Sequence, residues 1–134
     1  MENNIEISFY METSQVVDMN YIADALDINN AAFCSKGELC TSKNKKIKYI
    51  SEVSYYSFGI KRQANTSNKI DNFFHIIKTK RKLLKNIFNK FSFTKEIIIY
   101  TWENDEEDTR LNLNTEQIKL ISDIDINLSI IHYN

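Results

Sequence analysis

The sequence predicts an α+β domain in which helices cover one face of a mixed or antiparallel sheet of four to five strands. Three observations predict this class. Segments near both ends of the chain alternate between apolar and polar residues, as half-buried strands do. A long central segment carries its apolar residues at helical spacing instead. The 134 residues match the length of one domain and include no proline-rich linker, so we expect a single domain over residues 1–134.

The first third of the chain predicts a strand, a short helix and a loop. Residues 5–11 alternate strictly between apolar and polar side chains, which indicates a strand with one solvent-exposed face. Asp18 precedes apolar residues at helical spacing, so we expect it to be the N-cap of a short helix that ends near Asp27. Residues 29–46 are polar and aperiodic, which predicts a long loop with a turn at Gly37.

The middle of the chain predicts one or two strands followed by the longest helix. Residues 47–62 are rich in β-branched and aromatic side chains, the types that favour strands. From Ile70 to Phe91 the apolar residues recur at i, i+3, i+4 and i+7, which predicts one helix of about six turns. We expect Asn68 to cap this helix, with Asp71 three residues later.

The last third predicts a strand, an acidic turn, a helix and a final strand. Residues 97–102 form the strand, and the acidic run at residues 103–108 forms the turn. Asn114 and Gln117 have the spacing of a capping pair, which places the start of a short helix. Residues 126–133 alternate again and close the chain as a strand, so the predicted order is β-α-β(β)-α-β-α-β.

The composition argues against a membrane span and a secretory leader. The 17 Lys and Arg residues nearly balance the 18 Asp and Glu residues, so the net charge of −1 offers no bulk attraction to nucleic acid or membranes. The longest aliphatic run, residues 97–99, is far shorter than the roughly 20 apolar residues of a membrane span. The first thirty residues carry six acids and no Lys or Arg, unlike a secretory signal. We therefore expect a cytoplasmic protein.

The sequence contains no residue pattern typical of a catalytic or metal site. Cys34 and Cys40 are too far apart for a zinc-binding pair, and a second ligand pair is missing. A cytoplasmic chain usually keeps such thiols reduced, although the two could pair. His75 is expected at the edge of the core of the long helix, and His132 lies far away in the final strand. With no nucleophile motif and no glycine-rich phosphate loop, we expect no enzyme, no catalytic residue, no metal and no cofactor.

Three further segments occur in an order and spacing that resemble those of a known family. Residues 26–31 read Leu-Asp-Ile-Asn-Asn-Ala, a Lys-Gly pair follows at Lys36, and a helix and strand from Ile118 end at the aromatic Tyr133. This series resembles a family of uncharacterised bacterial domains of about this length, in which a Leu-Gly-Ile-x-Pro-Thr type segment precedes a Lys-Gly pair. The chain departs from the family's Gly, Pro and Thr, whose positions are occupied by Asp27, Asn30 and Ala31. The resemblance implies a shared fold and assigns no reaction.

An acidic run beside two aromatic residues is the first candidate binding surface. Tyr100 and Trp102 precede five acids within six residues. Such a run is usually a soluble hairpin tip, but the adjacent aromatics supply the apolar anchors that protein interfaces favour. The predicted partner-binding residues are Tyr100, Trp102, Glu103, Asp105, Glu106, Glu107 and Asp108.

The sheet face away from the helices is a second candidate surface. If helices cover one face only, the other should expose several aromatic side chains, which often marks a partner site or a dimer interface. The residues expected there are Tyr10, Tyr49, Tyr55 or Tyr56, Tyr100 and Trp102.

These features predict an immunity-type protein that neutralises a cognate bacterial toxin by occluding its active surface, and that is itself a monomer or homodimer. If the toxin is a nuclease, the acids would pair with the Lys and Arg side chains that normally bind phosphate. The partner is then a protein, with neither nucleic acid nor a membrane expected.

The alternative is a nucleic-acid-associated or regulatory domain that uses the basic face of the long helix. Lys78, Arg81, Lys82 and Lys85 form this basic ridge at i, i+3, i+4 and i+7. A solvated face is the simpler explanation, because the ridge has one Arg and no interleaved aromatic that could stack on a base. A ligand-binding sensor domain is the third interpretation.

Overall fold

The protein is built on a five-stranded mixed sheet, which confirms the α+β class. The computed structural model describes residues 4–42, 46–64, 67–102 and 111–133. The elements in chain order are β1 (Asn4–Thr13), α1 (Met19–Leu26), β2 (Ala32–Cys34), β3 (Leu39–Thr41), β4 (Lys48–Ile50), β5 (Ser54–Ala64), α2 (Ser67–Thr79), α3 (Arg81–Lys90), β6 (Thr94–Trp102), α4 (Thr115–Asp123) and β7 (Asn127–Tyr133).

The first strand lies at the centre of the sheet. The strand order is β2-β5-β1-β6-β7, and β1 pairs antiparallel with both β5 and β6. At one edge β7 pairs parallel with β6, and the connection between them contains α4. The short strands β3 and β4 form a separate antiparallel hairpin. The sheet is therefore mixed, with its only described parallel pair at the β7 edge.

The strict alternation of the first strand correctly predicts which side of β1 is buried. Its apolar positions from Ile5 to Met11 are at most 2% exposed, because the helices pack against this side of the sheet. Aromatic rings connect the layers: the Phe58 ring lies 5.3 Å from Phe9 in the sheet and 5.4 Å from Phe73 of α2. The core thus lies between the helices and one sheet face, and none of the described helices lies over the opposite face.

Two predicted helix caps are confirmed. The Asp18 carboxylate accepts hydrogen bonds from the backbone N–H groups of Asn20 and Tyr21 at the start of α1. Asn114 and Gln117 form a reciprocal capping box at the start of α4. The Gln117 side-chain amide also donates to Asp71 of α2 over 2.9 Å. Gln117 therefore takes part in the capping box of α4 and also links this helix to α2.

The predicted long helix is wrong in one respect, because it is two helices that meet at Lys80. Lys80 has φ −100° and ψ 6°, outside the helical range. Its N–H is shared between the carbonyls of Ile76 and Ile77, and the Thr79 hydroxyl donates to the Ile76 carbonyl over 2.8 Å. Such side-chain competition for a backbone carbonyl bends or ends helices. Asn68 falls inside α2, and its side chain is outside the described residues.

The segment predicted as a long loop contains two short strands. Residues 32–34 pair with β5 as β2, and residues 39–41 pair with β4 as β3. The turn predicted at Gly37 is present, with φ at 86°, and its N–H donates to the Ser51 carbonyl over 2.8 Å. Residues 47–62 contain two strands, as one of the two predicted alternatives requires.

A disulfide joins Cys34 of β2 to Cys40 of β3, which is the less expected of the two alternatives that the sequence left open. The turn at Gly37 brings the two Cα atoms to 6.1 Å, within the range that a disulfide spans. The bond fastens the β3–β4 hairpin to the edge of the main sheet.

Reducing this disulfide should lower the free energy of unfolding by about 2 kcal/mol, because the bond closes only a short loop. Urea denaturation of the oxidised protein, with and without reductant, measures the difference. The Cys34→Ser/Cys40→Ser double variant is the control and should not respond to reductant. Equal midpoints for oxidised and reduced wild-type protein would contradict the prediction.

Candidate functional site

The candidate site is the sheet face opposite the helices, which we term the open face. Alternation along each strand and the register between strands place its residues on one side. These residues are Glu6, Ser8, Tyr10 and Glu12 of β1, Tyr55 and Ser57 of β5, Glu96, Ile98, Tyr100 and Trp102 of β6, and Ser129, Ile131 and Tyr133 of β7.

Three aromatic rings form a stack at one end of the open face. Trp102 and Tyr133 are partners in the parallel β6–β7 register, and their rings lie 5.4 Å apart at 15°. The Tyr100 ring lies 6.2 Å from Trp102 and 6.3 Å from Tyr133, at similarly small angles. Tyr133 is 45% exposed, so the aromatic stack is accessible from solvent.

Carboxylates line the centre of the open face. Glu6 pairs in register with Tyr100, and Glu96 pairs with Tyr10. Two of the three carboxylates have an oriented partner: the Ser129 hydroxyl donates to Glu96, and the Tyr10 hydroxyl donates to Glu12 over 2.7 Å. Among the open-face residues named above there is no lysine or arginine.

A basic residue does lie at the margin of this face. Lys61 is exposed in β5, where the register against β1 shifts between Ile5 and Ile7. Glu6 lies at this shift, whereas Glu12 and Glu96 lie farther from it along their strands.

A cavity of about 600 Å³ lies at the other end of the open face, beneath the β3–β4 hairpin. Tyr10 and Tyr55 of the sheet line it with Tyr49 of the hairpin, and we term it the tyrosine pocket. Its other lining residues are Ala32, Thr41, Ile50, Ser51, Glu52, Val53 and Ser57.

The structure brings together part of the predicted partner-binding surface. Tyr100 and Trp102 lie side by side in the aromatic stack. The acids at positions 103, 105, 106, 107 and 108 lie outside the described residues. Sequence reasoning missed Tyr133, the third ring of the stack. The alternation of residues 126–133 contained part of the signal, but the parallel register that places Tyr133 beside Trp102 could not be derived from it.

The tyrosines expected on the face away from the helices are mostly there. Tyr10 and Tyr55 lie on the open face, whereas Tyr56 is fully buried on the helix side. Tyr49 lies in the hairpin, and its hydroxyl is 2.8 Å from that of Tyr55.

The basic ridge is divided between two helices and partly neutralised. Lys78 belongs to α2, and the other three residues belong to α3. Asp123 of α4 accepts a 2.8 Å hydrogen bond from Lys85 and lies 3.7 Å from the Arg81 guanidinium. The Lys85 hydrogen bond, with the nearby charges, lowers the pKa of Asp123. Lys78 and Lys82 are both exposed.

A second cavity, of about 530 Å³, lies between the central helices and α4. His75 lines it and is exposed, so its predicted place at the core edge was wrong. Acidic and basic side chains both line this cavity, including Asp71, Lys78 and Glu116. The mixture gives the cavity no preference for one sign of ligand charge.

The described part of the chain holds no cluster of three or more His, Cys, Asp and Glu side chains placed to bind a metal ion. Within the same residues, none of the helices has the length and apolar character needed to cross a bilayer. His132 is instead part of the sheet, with its Nδ1 2.8 Å from the Thr101 hydroxyl.

Comparison with known proteins identifies a family. The family described as Domain of unknown function (DUF4279) matches residues 3–134. No curated protein and no solved structure matches the chain significantly. Because the match covers nearly every residue, the chain belongs to the DUF4279 family of domains of unknown function.

Proposed function

We propose that the protein is an immunity-type binding protein that neutralises a cognate bacterial toxin by covering its active surface. The aromatic stack of Tyr100, Trp102 and Tyr133 on the open face carries this proposal. Inhibition by occlusion needs a preformed surface and no catalytic step by the chain itself.

The aromatic stack has the properties of an interface anchor. Tyrosine and tryptophan are enriched among the residues that dominate binding energy, because they bury a large area with little loss of side-chain entropy. The three rings stack on one another on two hydrogen-bonded strands, so their positions are largely fixed before a partner binds. Preorganisation of this kind lowers the cost of association.

The charge of the site favours a basic partner. Glu12 and Glu96 lie on the open face, and the acidic run at residues 103–108 follows Trp102 directly in sequence. A nuclease binds phosphates through Lys and Arg side chains, which such carboxylates could pair with. Complementary charge of this kind speeds association and selects the partner.

Loss of the aromatic stack should abolish protection. We expect Trp102→Ala/Tyr133→Ala to weaken the complex with the toxin by about 30-fold or more, the usual consequence of removing a central aromatic anchor. The measurement is binding to a toxin encoded beside this gene, together with growth of cells that express both proteins. Tyr21→Ala is the matched control, because Tyr21 is 69% exposed on α1, away from the open face.

Charge reversal tests the acidic part of the same proposal. The triple variant Glu103→Lys/Asp105→Lys/Glu106→Lys should lose protection while it keeps the circular dichroism spectrum and melting temperature of the wild-type protein. Full protection by this variant would overturn the role of the acids, and full protection by the double aromatic variant would overturn the role of the stack. Absence of rescue against any neighbouring toxin would overturn the immunity function itself.

The alternative function uses the basic ridge to bind nucleic acid. Because Asp123 already pairs with Arg81 and Lys85, this surface offers less free positive charge than the sequence predicts. Binding to duplex or single-stranded nucleic acid that falls steeply with salt would favour this alternative over toxin binding.

A further inference from the structure

We propose that the tyrosine pocket binds an organic ammonium cation. The site lies at the opposite end of the open face from the aromatic stack and is independent of the proposed immunity function. Its aromatic rings, its carboxylates and its apolar lining residues all favour such a ligand.

Three aromatic rings from two separate sheets meet at the pocket. Tyr10 and Tyr55 lie on the neighbouring strands β1 and β5, with ring centroids 6.3 Å apart at 19°. Tyr49 reaches the same place from the hairpin, with its hydroxyl 2.8 Å from that of Tyr55. Clusters of aromatic faces are the usual recognition device for ammonium groups, because the ring faces carry partial negative charge.

The hydroxyl groups of Tyr10 and Tyr55 remain neutral. Burial, together with the hydrogen bond to Tyr49, raises the pKa of Tyr55 to about 12. Burial also raises the pKa of Tyr10 far above its usual value, and the hydrogen bond to Glu12 adds to this effect. The negative charge at the site therefore comes from carboxylates.

Two carboxylates give the pocket a negative sign. Glu52 lines the pocket directly, and Glu12 accepts the hydrogen bond from Tyr10 at its edge. Among the described residues, none that lines the pocket is a lysine or an arginine. These carboxylates repel an anionic ligand, whereas an ammonium group is favoured by both the carboxylates and the rings.

The size and remaining lining fit a small ligand with an alkyl portion. The volume of about 600 Å³ is typical of small-molecule sites. Ala32, Ile50 and Val53 offer apolar contacts, and Ser57 offers a hydroxyl. The disulfide attaches the β3–β4 hairpin to the main sheet. It therefore holds Tyr49 and Ile50, which the hairpin contributes, in place at the pocket.

Choline and its neutral isostere 3,3-dimethylbutan-1-ol test the proposal directly. The two have nearly the same shape and differ in charge. We expect choline to bind saturably, as followed by chemical shifts of the tyrosine rings in NMR spectra, and the isostere to bind about tenfold more weakly. Equal binding of both compounds, or no saturation at millimolar choline, would overturn the proposal.

The same titration with two further probes identifies the source of the cation and excludes a sugar site. A short peptide that contains trimethyl-lysine and binds more tightly than choline would assign the pocket to a protein side chain. Tighter binding of choline would assign it to a free small molecule. Saturable binding of glucose without binding of choline would overturn the proposal in favour of a carbohydrate site.

Variants locate the cation in the pocket. Tyr49→Ala and Glu52→Gln should each weaken choline binding by about tenfold, whereas Tyr49→Phe, which keeps the ring, should bind within about threefold of wild type. Tyr21→Ala and Glu38→Gln are controls, because neither residue lines the pocket. Tyr49 is 37% exposed in the hairpin, so its removal leaves the core intact. Unchanged choline binding by both Tyr49→Ala and Glu52→Gln would overturn the assignment.

Discussion

Replacing Phe73 with alanine should lower the free energy of unfolding by about 3–5 kcal/mol, the usual cost of removing a buried phenylalanine ring. Phe73 is fully buried in α2, and its ring contacts those of Phe58 in the sheet and Phe74 in the same helix. Its loss leaves a cavity between the two layers that neither rigid neighbour can fill. Because native domains are stable by only about 5–15 kcal/mol, this variant should be close to unfolding.

Urea denaturation followed by circular dichroism measures this change. Tyr21→Ala is the matched control, since it removes an exposed aromatic ring from a helix and should change stability by less than about 0.5 kcal/mol. A Phe73→Ala midpoint equal to that of the control would show that the helix layer does not depend on this contact.

Replacing Gly59 with alanine should disrupt the pairing of β1 with β5. A Cβ atom at this position would lie 2.3 Å from the Ile7 carbonyl oxygen and 2.8 Å from the Ser8 Cα. Both are backbone atoms of the central strand, so relief requires movement of a strand and not of a side chain. We expect a loss of about 1–3 kcal/mol or more, and a larger loss for Gly59→Val.

Thermal denaturation and amide hydrogen exchange test this expectation. Exchange should accelerate in β1 and β5 of the Gly59→Ala variant. Ser57→Ala, on the same strand two residues away, is the control and should leave exchange in β1 unchanged. A Gly59→Ala protein as stable as wild type would contradict the close approach of the two strands.

The elements that the sequence predicted correctly depend on local chemistry. The face of β1 follows from period-two alternation, which requires no knowledge of its partners. The caps at Asp18 and Asn114 follow from side chains that bond to backbone groups two or three residues away. Both kinds of signal lie within a few residues of sequence.

The elements that were missed depend on partners distant in sequence, or on a local departure from helical geometry that leaves the apolar pattern unchanged. The break at Lys80 leaves the apolar stripe continuous, because Ile77 before it and Leu84 after it contact the same core. The strands β2 and β3 have only three residues each, and β2 exists because β5, some twenty residues later, offers a free edge. Periodicity detects neither feature.

The candidate site was predicted only in part, because some of its residues are neighbours in sequence and others meet only in the folded sheet. Tyr100 and Trp102 face the same side because they are two residues apart on one strand. The third ring, Tyr133, joins them only through the parallel register of β7. The tyrosine pocket required the position of the hairpin, which the disulfide and the Gly37 turn determine. The acidic run stays a prediction.

The central position of β1 has a consequence for how the protein is made. This strand leaves the ribosome before its two partners, β5 and β6, which begin 41 and 81 residues after β1 ends at Thr13. At about 5–20 residues per second, the two backbone edges of β1 wait for several seconds before they can be paired. Pairings over such sequence distances also make folding slow. The nascent chain is therefore most prone to aggregation, and most dependent on chaperones, before its own middle has been synthesised.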